Sequence, residues 1–364
     1  MSYAVLSVYP KSYSTCFALY QGDVELFSHE INHEREELEC YATFMDQWRH
    51  RSDAVEKVLS EFVSGRDALR MDAVIAPGGV LDAVPGGVYD IDAHLLARLH
   101  HSSPQGHSSN LGGLLAHALA KPRRIPAYIA DPISTDEMDP IAQKTGLKEL
   151  PLAQWIHALN IRAVVNIAAE ELEKEVSELS FIVAHLGKSF SICAYQEGRM
   201  IDMTNSRERG PLSPARSGKI PSVPLIRMAY SGAWDKRALR EKSVKEGGML
   251  AWLGTGDLRE VRNRIDSGDE QAELVYRSMA YAVAMEIAAQ SAALKGRVDG
   301  ILVTGGCAWD SHFIAKIQTR VQWIAPVFIY PGEDRLKFLA DAALRVLRGK
   351  EKSRIYTFPA SPNL

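Results

Sequence analysis

The chain has 364 residues, enough for two domains of ordinary size, with 46% hydrophobic and 24% charged residues, the balance of a globular protein with a substantial core. A formal net charge of -3 supplies no field that would draw nucleic acid or an anionic membrane. No apolar run is long enough to span a bilayer, and the opening Tyr3-Ala4-Val5-Leu6-Ser7-Val8 lacks the basic flank and cleavage site of a secretory signal.

Residues 4–8 predict a buried strand. The polar turn Tyr9-Pro10-Lys11-Ser12-Tyr13-Ser14-Thr15 follows, then strands at 16–20 and 24–31 joined by Gln21-Gly22-Asp23. Apolar residues at helical spacing predict a helix over 36–63. A short strand at 73–76 runs into Pro77-Gly78-Gly79. His107-Ser108-Ser109-Asn110 offers N-capping chemistry to a helix at 111–119, whose Gly112-Gly113 serves either close packing or a ligand-facing end. The strand at 127–130 ends at Asp131-Pro132. Carboxylates at strand ends are where open α/β sheets gather ligands, although Asp131 can equally cap a turn.

A domain boundary is expected near 150–157. His157 opens a helical region whose clearest periodicity runs from 163 to 179. The opening pattern then returns: a strand at 181–185, the turn His185-Leu186-Gly187-Lys188-Ser189, and strands at 190–195 and 200–203 across Gln196-Glu197-Gly198-Arg199. A hairpin with a third strand, used twice, suggests a duplicated domain. Arg216 lies in a loop between Pro214 and Gly218, either as a solvated cation or as a group for phosphate charge.

Leu253-Gly254-Thr255-Gly256-Asp257 precedes a helix from Leu258, which Asp257 can cap. Residues 272–295 form a long alanine-rich helix, expected inside a domain. The strand at 300–303 runs into Thr304-Gly305-Gly306, either simply a turn or a place where glycine lets backbone approach a flat or anionic ligand and the helix at 311–321 adds its dipole. After a strand at 325–329, Glu333 is placed either to support a metal or to cap the last helix, 336–347. Cys16, Cys40, Cys193 and Cys307 are scattered without metal-ligand spacing, and Cys16, Cys193 and Cys307 read as buried thiols of a cytoplasmic protein. Strands alternating with helices argue for an α/β fold with mixed sheets.

In order, these segments resemble the butyrate kinases of the acetate and propionate kinase group, within the actin/sugar-kinase superfamily. The resemblance covers nearly the whole chain. It is carried by Val84-Pro85-Gly86-Gly87-Val88-Tyr89, His107 to Gly113, Asp131-Pro132, Ile156-His157-Ala158-Leu159-Asn160, Ile182 to Gly187, Pro211 to Gly218, Leu253-Gly254-Thr255, Val303-Thr304-Gly305-Gly306, Ala325-Pro326-Val327 and Tyr330 to Asp334. It implies two ribonuclease-H-like domains with an interdomain cleft, at 1–155 and 156–335, with the segment 336–364 returning to the first. The implied reaction is reversible, magnesium-dependent phosphoryl transfer between ATP or ADP and a short-chain or branched fatty acid or its acyl phosphate, in a homo-oligomer of two or more chains. Asp131 matches the family's active-site aspartate, His157 and Arg216 the groups that stabilise the phosphoryl in flight, and Glu333 the carboxylate that supports Mg2+. Nucleotide and phosphate contacts fall on Ser12, Ser14, His185, Gly187, Lys188, Asp257, Leu258, Arg259, Gly305 and Gly306.

The chain also departs from the family. The first turn of the family usually reads Asn-Pro-Gly-Ser-Thr-Ser-Thr-Lys; here Tyr9, Lys11 and Cys16 replace its asparagine, glycine and lysine. Lys188 and Ser189 stand where the second turn has glycines, and Pro77 where an arginine faces the acyl phosphate. A side chain on a phosphate-cradling glycine fills the phosphate's space or turns the amides away, whereas a lysine can bind phosphate itself. Two readings follow: a working acyl kinase with an altered phosphate grip, or an impaired paralogue whose Lys11 and Lys188 pair with carboxylates such as Asp131 or Glu333. A structural partner of an active paralogue is a third.

Overall fold

The structure is a computed structural model that describes residues 2–64, 70–101, 108–152, 155–207 and 209–357; His107 and the end of the expected 336–364 segment lie outside them. The chain divides into two compact units, Met1–Asp136 with Asp334–Leu364, and Glu137–Glu333.

The first unit begins with three antiparallel strands, β1 (Ala4–Pro10), β2 (Ser14–Gln21) and β3 (Val24–Asn32). The register runs from Ala4 opposite Gln21 to Pro10 opposite Thr15. With β4 (Ala73–Pro77), β5 (Val88–Asp90) and β6 (Ala127–Ala130) they make one sheet in the order β3-β2-β1-β4-β6-β5. Strands β1, β4 and β6 are parallel, as buried apolar runs with helical connections require. The helices of this part are α1 (Arg35–Glu39), α2 (Trp48–Val63), α3 (Ala93–His101) and α4 (Ser108–Ala120).

Side chains alternate across a strand, and both faces of this sheet are used. Leu6, Val8, Val74 and Ala76 share a core with Leu111 and Leu115 of α4. Val5 and Ile75 are equally buried, and the helix Arg335–Leu347 packs on β1 and β4. The expected helix over 36–63 is broken. Asp46 draws in the N–H and hydroxyl of Thr43 at 2.9 and 2.7 Å, a local alternative to helical bonding, and a 3-10 turn at Phe44–Gln47 restarts the chain into α2.

The second unit repeats the plan. Its strands are β7 (Ser180–Leu186), β8 (Phe190–Gln196), β9 (Arg199–Asn205), β10 (Gly300–Gly305) and β11 (Val327–Pro331). Their order, β11-β10-β7-β8-β9, matches β6-β4-β1-β2-β3 in both sequence and direction. Its helices are α5 (Ala158–Glu171), α6 (Ser222–Ala229), α7 (Lys236–Val244), α8 (Gly248–Leu253), α9 (Leu258–Asp266), α10 (Glu270–Ala293) and α11 (Ser311–Val321). On one face Ile182, Ala184 and Ile192 pack with Met279 and Val283 of α10; on the other, Phe181, Val183 and Cys193 pack with Ile161 and Val165 of α5.

Two expectations change here. Helix α5 stops at Glu171, because Glu173 takes φ 53 and a 3-10 turn at Val176–Glu178 follows. Helix α10 is buried on one side only: Leu274, Tyr281 and Met285 stand exposed on the other. Cys16, Cys193 and Cys307 are buried free thiols, and Cys40 is an exposed one. No helix among the described residues is long and apolar enough to cross a membrane.

Candidate active site

In the second unit three parallel strand ends place the glycine turns side by side. Thr304 pairs with His185 on one side and Tyr330 on the other, so β7, β10 and β11 end together. Gly305 and Gly332 exchange backbone hydrogen bonds at 3.2 and 3.0 Å. Gly305 sits at φ 91, and a Cβ there would stand 2.6 Å from the Leu186 carbonyl, so only glycine fits. Gly306 is different: a Cβ would meet nothing within 4 Å. Strand ends of this kind form a ligand crevice in open α/β sheets.

His185 is buried under this edge. Its Nδ1 lies 2.7 Å from Asn160 Oδ1, and its Nε2 lies 2.8 Å from Glu333 Oε1. The second approach has ion-pair distance but not the alignment of a hydrogen bond, so it is electrostatic contact rather than a directed bond. The His157 ring stacks on His185 with centroids 3.9 Å apart and an interplanar angle of 21°, and its Nδ1 meets Ser191 Oγ at 2.8 Å. The tautomer of each ring follows from which partner donates. Asn160 Nδ2 and Ser189 Oγ are buried and have no hydrogen-bond partner among the described residues.

His157 stands at the N-cap position of α5 without a side-chain capping bond, and its ring joins this stack instead. Glu333 does not cap the last helix; Asp334 does, accepting from the Lys337 N–H at 3.0 Å. A Cβ on Gly187 would stand 3.0 Å from His185 Nε2 and 3.5 Å from Glu333 Oε1, so glycine leaves the space beside both open. One hard carboxylate oxygen next to such a space fits magnesium, which takes one or two carboxylates and completes its shell from phosphate and water. Among the described residues no group of three His, Cys, Asp or Glu side chains forms a dedicated metal cage.

The loop carrying Arg216 is tied down by backbone bonds. Ser213 N–H donates to Arg216 O, Gly247 N–H to Ala215 O and Met249 N–H to Ser213 O, at 3.0, 3.2 and 3.0 Å. Ser213 Oγ reaches the Lys188 carbonyl at 3.1 Å, joining this loop to the second turn. The Arg216 guanidinium is partly buried, and burial, with the charge of Arg207 second, lowers its pKa. It has no hydrogen bond or ion pair among the described residues. A partly buried cation with no partner among the described residues can accept an anion.

Asp257 and Arg259 form an exposed pair at 2.9 Å, in which Asp257 caps α9 by accepting from the Arg259 N–H, while Leu258 between them is buried. Lys188 is exposed and makes no ion pair among the described residues.

In the first unit three of the sequence segments converge. Asp131, buried and at φ 41, donates its N–H to Gly87 O at 3.0 Å and accepts from the Gly87 N–H at 2.8 Å. It thus clasps a neighbouring segment. Asn110 of α4 binds both backbone groups of Val80, and Gly79 at φ 71 lies against Asn110. Gly78 packs on Pro132 and Gly112 on Pro77 so closely that added methyl groups would stand 2.6 and 3.0 Å away.

Lys11 pairs with Glu30 of β3 at 2.9 Å, and Ser14 Oγ donates to the same carboxylate at 2.6 Å, while Ser12 is exposed. These two contacts hold the Glu30 carboxyl down at about 2. One of the two sequence readings puts Lys11 and Lys188 on Asp131 or Glu333; Lys11 is instead taken by Glu30 within its own unit, and Lys188 makes no ion pair among the described residues. Neither lysine takes a left-handed backbone, so each replaces its glycine without strain. Sequence reasoning gave no role to Asn160, Ser191 or Arg51. The signal for Asn160 was its position one helical turn after His157.

A model of the acetokinase family matches residues 155–324. The chain is 41% identical over 354 residues to the probable butyrate kinase 2 of Caldanaerobacter subterraneus, covering 97% of this chain and 99% of that one. It is 37% identical over 357 residues to butyrate kinase 2 of Clostridium acetobutylicum, covering 98% and 100%. Among solved structures it is similar in fold to Porphyromonas gingivalis acetate kinase, with TM-score 0.76 and 18% identity over 94% of this chain and 99% of that one. A propionate kinase from Francisella tularensis gives TM-score 0.71 at 18% identity, over 93% and 98%.

Proposed function

The chain belongs to the acetokinase family, and from that premise we propose that it is a carboxylate kinase of the butyrate-kinase type. A carboxylate oxygen of a short-chain or branched fatty acid attacks the γ-phosphorus of ATP; the bond from that phosphorus to the bridging oxygen breaks, giving acyl phosphate and ADP, reversibly. The observation that carries the reading is Arg216, a partly buried guanidinium on a loop tied by backbone hydrogen bonds, with no hydrogen bond or ion pair of its own among the described residues. Phosphoryl transfer is catalysed almost entirely by position and by charge on the equatorial oxygens, which is what such a cation supplies. His157, its ring fixed by Ser191 and by stacking, is the second donor. Asp131 serves in the first unit as the active-site carboxylate. Glu333 would hold Mg2+, which neutralises phosphate charge when bound.

The nucleotide phosphates would lie over the turns at 187–189 and 305–306, with Asp257, Leu258 and Arg259 on the nucleoside side. Lys11 is paired with Glu30 of β3, which favours a working enzyme over the reading in which it takes a site carboxylate. The reading includes a homo-oligomer, for which Leu274, Tyr281 and Met285 offer an apolar face.

The test is ATP-dependent acyl-hydroxamate formation by the purified chain with Mg2+, across acetate to isovalerate. Turnover greatest on four- or five-carbon acids is expected, and none on any acid would sink the proposal. Gly306→Ala probes the nucleotide seat separately. Nothing in the fold occupies that space, so the melting temperature should stay within about 1 °C of the parent. A phosphate packed on the same backbone would lose its place, and KM for ATP should rise about tenfold or more. An unchanged KM would move the nucleotide elsewhere.

A further inference from the structure

Arg51 of α2 is wholly buried, yet no carboxylate among the described residues binds it. Its Nη1 donates to Lys11 O and Ser14 O at 3.0 Å each and to Thr15 Oγ1 at 3.3 Å. Its Nη2 donates to Ser12 O at 2.8 Å and to Gln47 Oε1 at 2.9 Å, and Nε reaches the same Gln47 oxygen at 3.2 Å. Burial lowers its pKa to about 10, so the group is still a cation at neutral pH. Tyr13 O is engaged separately by the His33 N–H at 2.8 Å. Every carbonyl from Lys11 to Ser14 is therefore held by the protein.

A trans peptide unit points its carbonyl and its N–H in opposite directions. Fixing Lys11 O toward Arg51 turns the Ser12 N–H the other way, and fixing Ser12 O does the same for the Tyr13 N–H. Neither of these two N–H groups meets a protein acceptor among the described residues. Successive amides presented on one side of a turn form a concavity for an anion. A neutral side chain cannot gather three carbonyls, and a lysine, as a point donor, lacks the planar fork that spans them.

We propose that Arg51 is a positioning residue that presets the turn at 11–14, with the Ser12 and Tyr13 amides facing outward for a phosphate oxygen. The proposal rests on the carboxylate-kinase reading for the identity of the phosphate, and on the geometry alone for the orientation of the amides.

The full-length chain is titrated with inorganic phosphate while the backbone amide resonances of Ser12 and Tyr13 are followed by NMR. Both should shift on saturation in the parent and stay put in Arg51→Met. In the hydroxamate assay, Arg51→Met should raise KM for the phosphoryl donor or acyl phosphate by about tenfold to a hundredfold, with a smaller change in kcat. Arg51→Lys should recover little. Arg51→Gly should regain activity with added methylguanidinium, which has no effect on the parent; a residue that served folding alone would not be rescued in the assay of an already folded chain. Parent amides indifferent to phosphate would overturn the proposal, even if every variant fails to fold. So would an Arg51→Met enzyme with KM within about twofold of the parent. A parent without turnover whose Ser12 and Tyr13 amides still respond to phosphate, and lose that response in Arg51→Met, would sink the kinase reading and leave Arg51 in its role.

Discussion

Arg216→Ala is expected to lower kcat by about a hundredfold to a thousandfold, the loss typical when one preorganised donor to transition-state charge is removed. The fold should hardly notice. The guanidinium makes no hydrogen bond or ion pair among the described residues, so nothing is left unpaired when it goes. Removing a partly buried charge with no partner among the described residues is neutral or slightly stabilising in general, and Arg216→Met, which refills the volume, should match or exceed the parent in melting temperature. Arg216→Lys keeps the charge but loses the planar fork, so most of the rate loss should persist. Acyl-hydroxamate kinetics and thermal unfolding on the same three proteins decide it. A melting temperature that falls sharply with kcat intact would make Arg216 a structural residue and remove the main support for the proposed chemistry.

Gly305→Ala should do the opposite, striking the fold first. The position has φ 91, and its Cβ would stand 2.6 Å from Leu186 C and O, backbone atoms of a fully buried strand that cannot step aside. Left-handed backbone costs a side chain about 1–2 kcal/mol and overpacking a further 1–3, so a loss of about 3 kcal/mol is expected. For a unit of this size that is roughly a 10 °C fall in melting temperature, read by calorimetry or circular dichroism. The neighbouring Gly306→Ala is the control, since it differs by one position and meets open space. Equal melting temperatures for the two variants would show that β10 does not end against Leu186 as described.

Much of this was legible before any coordinates. The strands at 4–8 and 181–185 announce themselves because continuous apolar runs bounded by Pro10 and Gly187 have few other uses. The repeat of hairpin and third strand was visible as a repeat of turns, and the two sheets share strand order. Asp257 caps the helix it precedes because capping is a local act. What stayed hidden is what depends on distance. Helical spacing through 36–63 conceals the break at Thr43, since Asp46 competes for the backbone without altering the apolar period. Lys11 looked like a phosphate ligand because Glu30, which takes it, is nineteen residues away on β3. Nothing in the apolar spacing over 36–63 sets Arg51 apart. Only the folded turn explains why it is buried.

The helix Arg335–Leu347 and the bridge from Arg354 to Val88 and Asp90 belong to a unit whose other residues precede position 137. During synthesis that unit cannot close one face of its sheet until nearly the whole chain has left the ribosome, whereas residues 137–333 are contiguous and can complete their core sooner. The usual N-to-C order of domain maturation is thereby reversed. Until Arg335–Leu347 is made, the face of β1 and β4 that this helix covers stays open. Losing the last thirty residues would unfold the beginning of the protein rather than fray its end.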